Sequence, residues 1–175
     1  MALVVVSYPS IPEHDYNWIQ AIRVQHDVYY KIIRPHFTFV FPSSVTDETQ
    51  FVRHIKETTE GVREIPFLSG CALVVKDQII EYTHVFLIPD NGFSEIVKLH
   101  DRLYTGLLAC ELRLDIPFLP HIGIANAIDP QACKNLADDL NGRDFHIGGV
   151  IDTLDVALFD GKGIRTISRI HLHES

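Results

Sequence analysis

The sequence predicts an α+β fold of two duplicated β/α lobes, related by a pseudo-twofold axis, whose antiparallel sheets face a central cleft. Three observations predict it. An apolar, β-forming stretch, Pro35-His36-Phe37-Thr38-Phe39-Val40-Phe41-Pro42, has an echo at Pro120-His121-Ile122-Gly123-Ile124-Ala125. Each stretch is followed by a short loop, a helical pattern and a pair of β-rich runs. Each also carries a histidine at the same place. Strand side chains alternate with period two, so His36 shares a face with Thr38, and His121 with Gly123. An imidazole in an apolar strand is costly unless it is paired. Two of them at equivalent places in packed lobes suggest one shared cleft.

In chain order, Leu3 to Ser7 is a continuous apolar run, which reads as a central strand covered on both faces. Ser10-Ile11-Pro12-Glu13 signals a helix start, with Ser10 or Ile11 near the cap. The helix runs to about Val24 and buries Trp18, Ile19 and Ile22. Gln25 to Arg34 follows as a loop carrying Tyr29, Tyr30, Lys31 and Arg34 directly into the first histidine strand, a natural position for substrate contacts. Thr46 stands as the N-cap of a second helix with Phe51, Val52 and Ile55 inward, closed by Gly61.

Phe67 to Val75 and Ile79 to Ile88, separated by Lys76-Asp77-Gln78, read as a hairpin. After the turn Asp90-Asn91-Gly92, a third helix extends to roughly Cys110. Leu114 to Leu119 leads into the second histidine strand. Asp129-Pro130 then opens a fourth helix with Ala132, Leu136 and Leu140 as its apolar stripe, and Asn141-Gly142 stops it. Phe145 to Phe159 and Ile164 to Leu172, around Asp160-Gly161-Lys162-Gly163, form a second hairpin.

The 175 residues, 46% hydrophobic and 22% charged, have the make-up of a globular chain rather than a disordered one, read as a single domain spanning 1–175. A formal charge of −8 opposes binding of long duplex nucleic acid, which calls for a basic face. Cys71, Cys110 and Cys133 are odd in number and lie in apolar settings, as reduced buried thiols of a cytoplasmic protein would. The N-terminus lacks a basic segment and reads as a strand rather than a signal peptide; no other run is long enough to span a membrane. No Gly-rich phosphate loop is present, and no carboxylate sits at metal-ligand spacing from either motif histidine. His84 and His100 read as structural, and His171 and His173 as parts of an exposed end strand.

His36-Phe37-Thr38-Phe39, His121-Ile122-Gly123-Ile124, the approach Leu114-Asp115-Ile116-Pro117-Phe118-Leu119-Pro120 and the bilobal order of elements resemble the 2H phosphoesterases. That superfamily includes the 2′-5′ RNA ligases and cyclic nucleotide phosphodiesterases, with one His-x-Thr/Ser motif per lobe. The resemblance covers nearly the whole chain. It departs at Gly123, where the family usually carries Thr or Ser, so a hydroxyl contact to phosphate is not carried over to that position.

The resemblance implies metal-independent chemistry on a 2′,3′-cyclic phosphate or a 2′-5′ phosphodiester of a nucleotide or RNA end, with His36 and His121 as the acid/base pair and no cofactor. Such a reaction needs a base on the attacking oxygen and an acid on the leaving oxygen, and imidazole serves both near neutral pH. Thr38 would donate to a non-bridging phosphate oxygen. Gly123 would line the same subsite, Tyr30 or Tyr29 would stack on a base, and Arg34 or Lys31 would neutralise phosphate. The expected partner is a small nucleotide or RNA end bound by a monomer, without long duplex nucleic acid or membrane. The alternative is a non-catalytic nucleotide- or RNA-end-binding module of the same fold, which Gly123 keeps open.

Overall fold

The structure, a computed structural model, describes residues 1–173. Its elements run β1 (Ala2–Ser7), α1 (Glu13–His26), β2 (Phe37–Ser43), α2 (Glu48–Thr59), β3 (Ile65–Lys76), β4 (Thr83–Asn91), α3 (Phe93–Leu103), a 3-10 helix (Gly106–Glu111), β5 (Ile122–Ala127), α4 (Pro130–Asn141), β6 (Ile147–Ile151), β7 (Thr153–Phe159) and β8 (Ile164–His171). The strands form two four-stranded sheets, ordered β2-β1-β7-β8 and β5-β4-β3-β6, and every pairing within them is antiparallel. This is the expected two-lobe α+β architecture.

The two histidine strands lie in different sheets, and the hairpin that follows each one joins the other. The β3–β4 hairpin follows β2 yet pairs with β5, while β7–β8 follows β5 yet pairs with β1. The run 145–159 therefore splits at Asp152, with β6 in one sheet and β7 in the other. Residues from both sheets, including Val5, Phe37 and Phe39 from one and Phe67, Val85 and Leu87 from the other, merge into one apolar core. Each such fully buried side chain contributes about 1.5–3 kcal/mol, so this shared core holds the lobes in fixed relation.

β1 is central, as its unbroken apolar run requires. Leu3 and Val5 face the shared core, whereas Val4 and Val6 pack with Ala157, Tyr8, Phe159 and Ile164 on the opposite face. Thr38, Val6, Asp155 and Arg169 stand opposite one another on β2, β1, β7 and β8. Directly opposed residues share a face, so this row lies on the Val6 side of the sheet, away from the core.

Several boundaries differ from the sequence expectation, each for a local reason. Ser10 leaves the helix start to bridge Val150, its N–H donating to the Val150 carbonyl at 2.8 Å. α1 begins after Pro12 and continues past Val24 to His26, because Arg23 and Asp27 form an i,i+4 ion pair at 2.8 Å over its last turn. The cap of α2 is Asp47 rather than Thr46; its carboxylate accepts from the Gln50 backbone N–H at 3.0 Å. β4 starts at Thr83 instead of Ile79, since Asp77 Oδ1 accepts from the N–H groups of Ile79 and Ile80 and closes a turn there.

α3 stops at Leu103, and the 3-10 helix opens on Gly106, whose φ is +50°. Gly92 precedes α3 with φ of +82°, and a Cβ there would lie 2.5 Å from the Pro66 carbonyl oxygen, so only glycine fits. The expectation of three buried thiols is corrected: Cys71 and Cys110 are exposed on the sheet face and 3-10 helix, and Cys133 alone of the three is buried, its Sγ 3.1 Å from the Thr83 carbonyl.

Candidate active site

His36 and His121 each stand one residue before a histidine strand begins, β2 or β5. Each ring folds back onto the backbone two residues earlier. Nδ1 of His36 donates to the Arg34 carbonyl at 2.8 Å, and Nδ1 of His121 to the Leu119 carbonyl at 2.6 Å. A carbonyl only accepts, so the proton sits on Nδ1 and the neutral ring presents the Nε2 lone pair. Neither Nε2 has a protein partner among the described residues.

Burial lowers both imidazoles from 6.5 to about 4, partly offset by the hydrogen bonds to Arg34 and Leu119. Charge on His36 lowers His121 further, which places the two rings within each other's field. A second proton is therefore disfavoured once the first is bound. One neutral and one protonated imidazole is the state that two-sided acid/base chemistry requires, and an anion between the rings would stabilise it.

Around His36, the structure brings together two of the residues singled out from sequence. Thr38 follows on the same face, half-buried. The Arg34 guanidinium lies 4.3 Å over the Tyr8 ring, and that ring is 6.2 Å from the His36 imidazole. Around His121 the surroundings are aromatic. Phe86, opposite Gly123 in the β4–β5 ladder, stacks on the imidazole at 3.6 Å and 16°. His84 stacks behind Phe86 at 5.3 Å and is held by Asp77 at 3.1 Å. His84 is thus paired, as is His100, whose Nδ1 lies 2.9 Å from an Asp101 oxygen.

Gly123 is not demanded by space or backbone. A Cβ there would meet only Phe86, at 3.9 Å, an ordinary contact. The edge of the Phe86 ring thus borders the ground that a Thr or Ser side chain at 123 would enter.

Tyr29 and Tyr30 belong to a turn organised by Asp27 rather than to the histidine pair. Asp27 Oδ1 accepts from the Tyr29 N–H at 2.9 Å and from Asn126 Nδ2 at 2.7 Å. Arg23, 1% exposed, pairs with Asp27, donates to the Ile33 carbonyl at 2.7 Å and lies 6.0 Å from the Tyr30 ring centre. This buried node ties α1, the tyrosine turn and β5 together. Its one sequence signal was Arg23 and Asp27 at i,i+4, which reads equally as a surface pair.

Sequence reasoning also missed Tyr8, Phe86, and the pair Asp155–Arg169, whose members are 14 positions apart. Their roles depend on strand register. Among the described residues, no three His, Cys, Asp or Glu side chains are grouped to hold a metal ion, and no helix is long and apolar enough to cross a membrane.

Comparison with known proteins is consistent with this layout. A sequence profile of the 2′-5′ RNA ligase superfamily matches residues 11–163. A Bacillus licheniformis protein provisionally named a phosphoesterase is 23% identical over 150 residues, covering 85% of this chain and 84% of the relative. LigT of Escherichia coli, solved in complex with ATP, superposes with a TM-score of 0.56 at 15% identity over 98% of both chains. A Thermus thermophilus crystal structure superposes with a TM-score of 0.59 at 14% identity over 99% of both chains. Those two likenesses show the fold.

Proposed function

This chain belongs to the 2′-5′ RNA ligase superfamily, and from that premise we propose that it is a metal-independent phosphoesterase of the 2H type. Its substrate is a 2′,3′-cyclic phosphate or a 2′-5′ phosphodiester at a nucleotide or RNA end. The observation that carries this reading is the matched pair of imidazoles, each with Nδ1 tied to a carbonyl and Nε2 free.

In hydrolysis, one neutral imidazole takes a proton from the attacking water as the new P–O bond forms. The other, protonated imidazole gives its proton to the ribose oxygen that leaves. The Thr38 hydroxyl donates to a non-bridging oxygen as charge builds there, and Arg34 neutralises the phosphate. Gly123 borders the phosphate beside His121. Support for a nucleotide ligand comes from LigT, solved with ATP, NADP+ and 3′-AMP.

The test is turnover of nucleoside 2′,3′-cyclic phosphates and 2′-5′ dinucleotides in EDTA by wild type, His36→Ala and His121→Ala. Activity that survives chelation and disappears in both variants is expected. Activity retained in either variant would exclude the two-histidine mechanism. A second reading, a module that binds these ligands without turnover, draws on Gly123, which supplies no hydroxyl at the second motif. It takes over if wild type binds them but leaves them intact.

A further inference from the structure

We propose that the outer face of the β2-β1-β7-β8 sheet carries a second phosphate subsite, formed by Arg169 on the buried carboxylate of Asp155, with Arg34 between it and the reacting phosphate. It would hold the phosphodiester next to the reacting one and so favour the end of an oligonucleotide over a mononucleotide. This rests on the reading of His36 and His121 as a phosphoester centre.

The first observation is a buried charge where an apolar residue would cost less. Asp155 is 1% exposed, beside the apolar cluster of Val4, Val6 and Ala157. Replacing a buried ion pair by hydrophobic residues is often neutral or stabilising. The carboxylate here is nonetheless retained and satisfied by Thr166 Oγ1 at 2.8 Å, Arg169 Nε at 2.8 Å and Arg169 Nη2 at 3.0 Å. Burial acts to raise its pKa, yet the hydrogen bonds from Arg169 and Thr166, aided by the charge of Arg34, hold it below the usual carboxylate value. The pair fixes the Arg169 guanidinium by one edge. Nη1 has no acceptor among the described residues, and the side chain stays 52% exposed. A cation clamped on one side and open on the other is suited to bidentate or bridging contact with phosphate.

Position is the second observation. Thr38, Val6, Asp155 and Arg169 stand in one cross-strand row. Adjacent strands lie about 4.8 Å apart, so the Asp155 backbone is roughly 10 Å from that of Thr38. Arg169, one strand further, reaches back to Asp155. From the His36–Thr38 end, Tyr8 and Arg34 fill the interval, and Tyr8 lies in the field of Arg34, Asp155 and Arg169 together. The Arg169 guanidinium thus follows the reacting position by about one step along a nucleotide chain.

Charge is the third. The Arg34 and Arg169 guanidinium groups stand with the carboxylates of Asp155 and Asp152, a locally balanced group on a chain whose formal charge is −8. Its carboxylates are engaged by Arg169, Thr166 and Ser10, whereas one edge of the Arg169 guanidinium stays open to an anion.

The experiment compares binding and turnover of three ligands: a nucleoside 2′,3′-cyclic phosphate, the same molecule bearing a 5′-phosphate, and a dinucleotide ending in the cyclic phosphate. Wild type is compared with the double variant Asp155→Asn/Arg169→Gln, which leaves no buried unpaired charge. Thermal unfolding of the variant establishes that it is folded.

Charged hydrogen bonds of this kind predict that wild type prefers the dinucleotide over the nucleoside by about tenfold or more, with most of the gain given by the 5′-phosphate alone. In the double variant the preference falls to near one. Equal affinity of wild type for all three ligands overturns the subsite, as does a double variant that keeps the preference or weakens all three ligands equally. A gain with the dinucleotide but none with the 5′-phosphate assigns the effect to the second nucleoside, which also overturns it. Failure of wild type to bind any of the three removes the phosphoester reading itself, a result distinct from loss of the preference.

Discussion

His36 and His121 are neutral near pH 7, because burial lowers both to about 4. The singly protonated pair is then more populated in acid than at neutrality. kcat/KM, which reports the free enzyme, is expected to rise as pH falls from 7 towards about 5. A flat profile over that range would show that the imidazoles do not titrate there as an acid/base pair. The same depression acts on stability. Between pH 6.5 and 4 the unfolded chain takes up protons that the folded protein refuses, so stability present above 6.5 is lost as pH falls through about 4. Urea midpoints are expected to drop over this window, and to drop less in His36→Asn/His121→Asn. Parallel slopes would assign acid sensitivity to other groups.

Gly123→Ser is expected to fold normally, since its Cβ has an ordinary contact distance to Phe86. Restoring one phosphate donor should raise kcat about tenfold or more, within the range that single oxyanion donors supply. An unchanged kcat in a folded variant would mean that Phe86 keeps the serine hydroxyl away from phosphate, or that the backbone already serves.

At the scale of elements, the joint between α1 and β5 rests on Arg23, Asp27 and Asn126. Both members of the ion pair are at least 95% shielded, so removing one partner strands the other. Asp27→Ala is expected to cost about 3–5 kcal/mol in chemical unfolding and Arg23→Met/Asp27→Leu much less. Equal costs would indicate that the pair itself, not the stranded charge, is what stabilises. The β3–β4 hairpin is organised in the same way from its tip. Asp77 closes the turn and holds His84, and the stack continues through Phe86 to His121. Phe86→Leu would remove the flat support of that imidazole, and is expected to lower kcat more than it changes KM.

At the scale of the whole molecule, the chain is negative, and many of its exposed cations are paired with carboxylates. With a formal charge of −8, duplex DNA is expected to give no electrophoretic shift at about 0.15 M salt, where exposed charges are screened beyond roughly 8 Å. A stable shift would require a basic surface. The exchange of hairpins between lobes is also a whole-molecule property. Because β3–β4 pairs with β5 and β7–β8 with β1, neither half of the sequence builds its own sheet. Each sheet is complete only when both halves of the chain have folded.

Much of this was legible in the residues. Apolar runs with period two marked the strands, Asp129-Pro130 and Asn141-Gly142 marked α4, and the repeated Pro-His pattern pointed to the two lobes and to His36, Thr38, His121 and Gly123. These follow from short-range rules of backbone geometry and side-chain alternation, which the sequence by itself determines. Tertiary structure alone decided which hairpin pairs with which strand, since antiparallel pairing is chosen by the burial of a common core rather than by proximity in sequence. It alone set Phe86 over His121, and Asp155 beneath Arg169 in a row with Thr38. Such contacts join residues on separate strands, and their energies arise from desolvation and charge that no single segment supplies.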